Sequence, residues 1–294
     1  MSVLIAGAGG QLGLDLIDAF ADHTVVALGS AELDITDEAA VTGVVHDAAP
    51  SLVLNAAAWT DVDGCETDPQ RAHLVNATGP WWLARACALV GATLVHVSTD
   101  YVFDGSTPLG PGGKPRGWTE FDPVAPLNAY GRSKAAGEQL VREALPAHHI
   151  VRTAWVNGAR GSNFVKTMLR VGRERDVVTV VDDQTGSPTF TRDLAAAIRE
   201  LAVTGRYGTV NRTNRGSCTW YDLAAATFEL AGIEVDLQRQ SSDALDRPAP
   251  RPGWSVLDAT HATASGLTEL RSWREGLAPL LEEVRLLDAE NLGG

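Results

Sequence analysis

Through the first half of the chain, short apolar runs rich in valine alternate with segments whose apolar residues recur every three or four positions. The runs are Val3 to Ala6, Thr24 to Leu28, Leu52 to Asn55, Thr93 to Val97 and His149 to Arg152. Between them Leu12, Leu16, Ile17 and Phe20 share one helical face, and so do Ala40, Val41, Val44 and Val45. Strands that are apolar on both faces need helices to cover both, so the pattern predicts an α/β fold with a parallel, doubly wound sheet. In such sheets ligands bind beyond the carboxyl ends of the strands, which makes the residues just after each strand the ones to inspect.

From about residue 155 the alternation loosens. NFVKTMLRV, RDLAAAIRELAV, WYDLAAATFELAG and LRSWREGLAPLLEEVRLL carry helical patterns, VVTVV reads as a strand, and GTVNRT as a last strand of the main sheet. The proline-rich RPAPRPG at 247–253 reads as a link before the last helix. The expected organisation is a dinucleotide-binding domain over 1–154, with segments from about 186–212 returning to it, and a smaller mixed α/β substrate cap over most of 155–294.

Composition narrows the function classes. A chain of 294 residues with 45% hydrophobic positions can bury a sizeable core, and a net charge of -13 argues against a nucleic-acid or anionic-membrane binder. A locally positive pocket for a small anion is still compatible with that balance. The three cysteines, Cys65, Cys87 and Cys218, are not spaced as a metal or redox motif and suit a reducing compartment. The start, MSVLIAGAGGQ, has no basic leader, and no apolar run approaches the ~20 residues that span a bilayer. A soluble, cytoplasmic protein is expected.

The first run leads into GAGGQLG, with Gly7, Gly10 and Gly13 spaced three apart, and then directly into a helix. Glycines there permit a tight turn and let backbone N–H groups and the helix N-terminus approach a pyrophosphate. A bare glycine pattern is weak evidence, but its position between a first strand and a first helix gives it weight. The second strand ends at Gly29 and Ser30, where an NAD-selective site often offers an acid to the ribose. The first acids are Glu32 and Asp34, a little late, and no arginine follows for a 2′-phosphate, so NADPH and NADH both stay open. Asp34 and Ile35 are placed to line the adenine end, although an Asp before a helix also serves as an N-cap. The third strand ends in NAAAW, small residues that would let backbone lie against a cofactor or a helix pack closely.

The fourth strand ends in Ser98, Thr99 and Asp100, within STDYVFDG. Farther on, Tyr130 opens the helical YGRSKAAGEQLVREAL, with Lys134 four places later on the same face. A phenol titrates near ~10 and is a poor acid-base group at neutral pH, but an adjacent ammonium would favour its phenolate. Tyr130 could then protonate a carbonyl oxygen that the Thr99 hydroxyl also contacts, while hydride reaches the carbon from a nicotinamide. A tyrosine and lysine at this spacing commonly form a solvated surface pair. In chain order with the glycine loop, the NAAA strand end and the Ser-Thr cluster, they read as a catalytic set.

These residues resemble the extended short-chain dehydrogenase/reductase superfamily, with its Rossmann-like fold. GAGGQLG, LDITD, LVLNAAAWTDVDGCE, STDYVFDG, PLNAYGRSK, RTAWVNG, VVDDQTGSPT and RPGWSVLD narrow the resemblance to the dTDP-4-dehydrorhamnose reductase family, from residue 3 to about residue 258. The resemblance implies reduction of the C4 ketone of dTDP-6-deoxy-L-lyxo-4-hexulose to dTDP-L-rhamnose by NADPH or NADH. It implies Tyr130 as proton donor, Lys134 as the group holding the nicotinamide ribose and assisting Tyr130, and Thr99 as a contact to the substrate oxygen. It further assigns Gly10, Gln11, Leu12, Ala58, Trp59 and Thr60 to the cofactor, and Val62, Asp100, Trp155, Gln184 and Arg251 to the sugar nucleotide. Trp155 and Arg251 taken alone read as packing and surface charge. Adjacent Asp182 and Asp183 alternate direction on an extended chain, a poor arrangement for one metal ion. Some relatives hold magnesium at a dimer contact. Asp15 is a shorter stand-in for one acid of that site and the others are not identified in the sequence, so magnesium, and the choice between monomer and homodimer, are left open. Ser30 departs from an arginine often found after the second strand, and Trp254 from a common Asn.

Two other functions fit part of the pattern. An epimerase or dehydratase of the superfamily would return the hydride to the sugar, but commonly has more acid-base groups beside its Thr, where Tyr101 stands here. A regulatory subunit would bind dinucleotide without turnover, yet the Thr99, Tyr130 and Lys134 set is complete.

Overall fold

The structure, a computed structural model, describes residues 1–292, and side chains as far as residue 289. The five apolar runs are the strands β1 (Ser2–Ala6), β2 (Thr24–Leu28), β3 (Leu52–Asn55), β4 (Thr93–Thr99) and β5 (His148–Thr153). Together with β10 (Gly208–Asn211) they form a six-stranded parallel sheet in the order β10-β5-β4-β3-β1-β2. From β1 the chain goes to β2 on one side and then crosses to β3 on the other. The order therefore reverses between β1 and β3, and a crevice opens at their carboxyl ends.

Alternation along β1 shows why both faces are covered. Val3 and Ile5 join a core with Leu12 and Leu16 of α1 (Gln11–Ala19), Phe20 at its C-cap, and Leu194, Ile198 and Leu201 of α8 (Thr191–Ala202). Leu4 and Ala6 face the opposite core, with Val41 and Val45 of α2 (Glu38–Ala48), Leu83 of α5 (Gly79–Val90) and Val141 of α6 (Ala129–Ala144). These residues are at most a few per cent exposed, and such burial is worth about 1.5–3 kcal/mol per large side chain.

Between β3 and α5 lie the short helices α3 (Val62–Thr67) and α4 (Pro69–His73), joined to α5 by a π-turn at Leu74–Thr78. Asp61 and Asp68 cap the two short helices through the backbone N–H groups of Gly64 and Arg71. After β5 come β6 (Val156–Asn157), α7 (Phe164–Glu174), β7 (Val177–Val181), β8 (Thr185–Gly186) and β9 (Thr189–Phe190). After α8 and β10 come β11 (Cys218–Thr219), α9 (Trp220–Ala231), β12 (Asp236–Gln240), α10 (Thr260–Ala264) and α11 (Trp273–Leu292).

VVTVV is a strand, but it stands apart from the main sheet, paired in parallel with β12 from Asp236↔Val177 to Gln240↔Val181. The sequence DLQRQ of β12 has no apolar run to announce a strand, because its side chains are mostly solvent-facing and the pairing itself defines it. RPAPRPG does more than link. Thr185 donates its N–H to the Gly253 carbonyl, the Trp254 N–H binds the Gly105 carbonyl, and the Trp254 indole donates to the Arg116 carbonyl at 3.0 Å.

Candidate active site

Two cavities open at the carboxyl edge of the sheet. One of about 670 Å³ is lined by the glycine loop, by Ser30, Asp34 and Ile35 after β2, and by Ala58, Trp59 and Arg71. The other, of about 440 Å³, is lined by Gln11, Leu12, Thr60, Val62, Thr99, Asp100, Tyr130, Lys134 and Trp155, with Phe164 and Trp220 from the later helices. Gly10, Ala56 and Ala58 border both, so the two halves are continuous.

The loop geometry follows from its glycines. Gly7 has φ +80°, and a Cβ there would sit 2.5 Å from the Ala57 N of the β3 strand end. Gly9 has nothing within 4 Å of an added Cβ, so the face of the loop toward the cavity is open. Gln11 at the start of α1 braces this end. It accepts from Gly158 N at 3.0 Å and donates to the Val156 carbonyl at 3.2 Å. Asn76 holds the β3 end by accepting from Trp59 N at 2.8 Å, and it donates to Ser133 of α6 at 3.1 Å.

Asp34 accepts from the N–H and hydroxyl of Thr36 at 2.9 and 2.7 Å, while Asp37 is the N-cap of α2. Asp34 is thus not the cap and lies on the cavity wall.

Tyr130 and Lys134 are both buried, where a solvated surface pair would be exposed. Asn128 caps α6 by accepting from Gly131 N at 2.8 Å and fixes the helix start one residue before Tyr130. The net shift of the phenol runs opposite to the lowering expected from the ammonium alone. Burial, the largest influence, pushes Tyr130 above the ordinary phenol range, and contact with the Thr99 hydroxyl offsets part of it. Lys134 instead donates to the Val97 carbonyl at 2.7 Å, and burial brings its pKa down to about 8.

Thr99 donates to Asp100 Oδ1 at 2.9 Å and accepts from Tyr101 N at 3.2 Å. A ketone oxygen would therefore compete with Asp100 for that hydroxyl proton. Asp100 is buried, its Oδ2 has no partner among the described residues, and burial pushes its pKa up to about 6 against the lowering influence of the Ser255 and Thr99 hydroxyls. Below it, Glu138 is buried among four donors: Ser98 Oγ at 2.7 Å, Arg152 Nε at 2.9 Å, and the NH2 groups of Arg152 and Arg142, each at 2.7 Å.

Trp155 takes φ +47°, a left-handed conformation uncommon for a large residue, and stacks on Trp220 with ring centroids 3.5 Å apart and planes 5° from parallel. Gly186 lies behind the Trp155 indole, where any side chain would overlap it.

Two residues expected at the substrate are not among those lining either cavity. Gln184 is buried away from both cavities, its Oε1 accepting from the Trp220 indole N–H at 3.2 Å. Arg251 is outside the lining, paired bidentately with Asp63 at 2.5 and 2.7 Å, so its charge is already met by the chain. Asp182 goes to Thr219 and Arg239, and Asp183 to Ser241 and Ser242. Asp15 is paired with Arg160 at 2.5 Å. Among the described residues no three His, Cys, Asp or Glu side chains converge as a metal site, and no helix is long and apolar enough to cross a membrane.

Sequence reasoning missed Arg71, whose guanidinium lies 4.4 Å over the Trp59 ring on the wall of the larger cavity. It also missed Trp220 and Phe164. Their positions at or near the starts of α9 and α7, at the cavity end of both helices, follow from the tertiary packing of those helices.

This arrangement has the groups of a carbonyl reductase: a glycine loop running into a helix N-terminus, a cleft long enough for an extended ligand, and a phenol with an amine at its centre. The model of the RmlD substrate binding domain matches residues 1–286. The chain belongs to this family. Among relatives of the RmlD family, the dTDP-4-dehydrorhamnose reductase of Mycobacterium tuberculosis is 47% identical over 95% of this chain and 92% of its own. The crystal structure of a dTDP-4-dehydrorhamnose reductase from Clostridium acetobutylicum superposes with TM-score 0.92 at 40% identity, covering 97% of this chain and 100% of that one. The Bacillus anthracis enzyme of the same name, in complex with NADP, gives TM-score 0.91 at 40% identity over 96% and 99%. The RmlD family thus spans both the sheet and the later helices that close the smaller cavity.

Proposed function

We propose that this RmlD-family chain reduces the C4 ketone of dTDP-4-dehydro-L-rhamnose, using NADPH or NADH, to give dTDP-L-rhamnose. The observation that carries the reading is the cavity where Thr99, Tyr130 and Lys134 meet, in a chain similar to reductases of that name over nearly its whole length.

The residues present fit a nicotinamide dinucleotide. The open face at Gly9, just before the start of α1, suits a pyrophosphate, and Ser30, Asp34, Ile35 and Arg71 would take the adenosine half. Tyr130 and Lys134 would hold the nicotinamide ribose. When bound, the cofactor supplies the hydride that attacks C4.

The rest falls to this chain's side chains. Tyr130, kept protonated by burial, donates its proton to the ketone oxygen, a contribution of about 10²–10⁴ in rate for a general acid. Thr99 and Asp100 share one hydroxyl proton, which Thr99 turns to the ketone oxygen when the sugar is bound. Lys134, with a pKa of about 8, is mostly ammonium at neutral pH and favours the phenolate left on Tyr130. Val62 and the paired indoles of Trp155 and Trp220 close the sugar end and keep water out.

The test is NAD(P)H absorbance after addition of dTDP-4-dehydrorhamnose, with and without chelator. Steady oxidation with formation of dTDP-rhamnose supports the reading. Isomerised sugar without net oxidation would make the chain an epimerase, and cofactor binding without turnover would make it a regulatory dinucleotide-binding subunit.

A further inference from the structure

Behind Lys134 lies a chain of buried polar groups that the proposed reaction does not use. His96 and Asn55 are 0% and 1% exposed. Asn55 Oδ1 accepts from the Ala57 N–H at 3.1 Å, and Asn55 Nδ2 lies 3.0 Å from His96 Nδ1. His96 Nε2 in turn lies 3.4 Å from Lys134 Nζ. Ala57 is part of the strand end that lines the cofactor cavity.

The direction of each hydrogen bond is fixed from the Ala57 end. A backbone N–H can only donate, so Asn55 must turn its oxygen to Ala57 and its amide nitrogen to His96. That nitrogen has only protons to offer, and His96 Nδ1 must accept one. A neutral imidazole carries a single N–H, and complete burial holds His96 neutral. Its proton is then on Nε2, aimed at the amine. Turning the Asn55 amide over would give the other tautomer, but would set an NH2 group against the Ala57 N–H and lose the hydrogen bond between them. The distances at Nζ agree: 2.7 Å to the Val97 carbonyl is a charge-assisted length, whereas 3.4 Å to the imidazole is too long for one.

We propose that His96 is a positioning residue for the reaction, locked by Asn55 in the tautomer with its proton on Nε2, so that it presents an N–H donor rather than a lone pair to Lys134. An ammonium has no lone pair to accept that donor, and a neutral amine has one. His96 therefore favours release of the Lys134 proton and sets the alkaline limit of turnover. The other titratable and charged groups around this pair come from three elements. Glu138, Arg142 and Tyr130 lie on α6, Arg152 and His148 on β5, and Asp100 follows β4. Among them, Glu138 opposes His96 by favouring the ammonium.

The functional part rests on the reductase reading, and the tautomer does not. Long-range ¹H–¹⁵N correlation spectra of the ¹⁵N-labelled full chain at pH 7 should show His96 with an unprotonated Nδ1 and a protonated Nε2. A proton on Nδ1, or on both nitrogens, overturns the proposal. In His96→Phe the alkaline limb of kcat should move up by about one pH unit, with cofactor KM little changed. A rate lowered equally at every pH, with the limb unmoved, would reduce His96 to packing and overturn the functional part. If that variant fails to fold, the spectra of the wild-type chain still decide the tautomer. Absence of turnover in the wild type would sink the reductase reading alone.

Discussion

Replacing Lys134 by methionine should stabilise the folded protein while removing its activity. Burial takes the amine from 10.5 to about 8, roughly 2.5 units, and at 1.36 kcal/mol per unit the folded chain bears about 3 kcal/mol for keeping an ammonium there at neutral pH. Methionine matches the stem without the charge, but forfeits the 2.7 Å hydrogen bond to the Val97 carbonyl, worth about 1–2 kcal/mol. The net gain is about 1–2 kcal/mol at pH 7, read as a rise of roughly 0.5 M in the urea midpoint of the ligand-free protein. The pH dependence separates this cause from generic repacking. Below about pH 8 both folded and unfolded chains carry the proton and the wild type bears the full cost. Between about 8 and 10.5 the unfolded chain still holds a proton that the folded chain has lost, so wild-type stability rises with pH and the advantage of methionine fades. A variant less stable than wild type at pH 7, or a stability difference that stays constant up to pH 10, would refute the reasoning. The same variant should bind the cofactor more weakly, since the amine is also assigned to the ribose.

Three further substitutions probe separate parts of the site. Gly186→Ala places a methyl into the Trp155 indole and should disturb its stack on Trp220; KM for the sugar nucleotide should rise about tenfold, the scale of one lost aromatic contact, with cofactor KM unchanged. Arg71→Ala removes a guanidinium from the wall of the larger cavity, and fluorescence titration should show cofactor Kd weakened about tenfold. A loss confined to NADPH places the group at the 2′-phosphate, and an unchanged Kd removes it from the site. Glu138→Ala leaves Arg152 buried without its carboxylate and should cost about 3–5 kcal/mol by denaturant unfolding. The Arg152 guanidinium holds Glu138 below the ordinary carboxylate range despite burial, so the wild-type advantage is full above the unfolded-state value and is lost as pH falls through the depressed one. A difference independent of pH down to acid unfolding would contradict that.

Much of this architecture is legible in the sequence because central strands buried on both faces must be apolar throughout, as Val3 to Ala6 and Leu52 to Asn55 are. The glycine loop and the Tyr130 and Lys134 pair were legible for a related reason, since each needs particular residue types at fixed local spacing. What escaped depends on distance along the chain. Arg251 pairs with Asp63 across 188 positions and Gln184 is held by Trp220, and no local pattern announces either partner. Arg71 lies on a five-residue helix, too short for periodicity to say which way it faces. The rise in Tyr130 comes from how completely the surrounding elements bury it, a property of the assembled fold.

The central claim is that hydride reaches C4 of the sugar while Tyr130 supplies the proton to its oxygen. Its most direct test gives the enzyme dTDP-4-dehydrorhamnose with a reduced nicotinamide deuterated at the transferring position, alongside the Tyr130→Phe variant. One deuterium is expected at C4 of dTDP-rhamnose, and in the variant a kcat lower by about two or more orders of magnitude with cofactor binding intact. Product without deuterium at C4, or wild-type turnover by the variant, would contradict it.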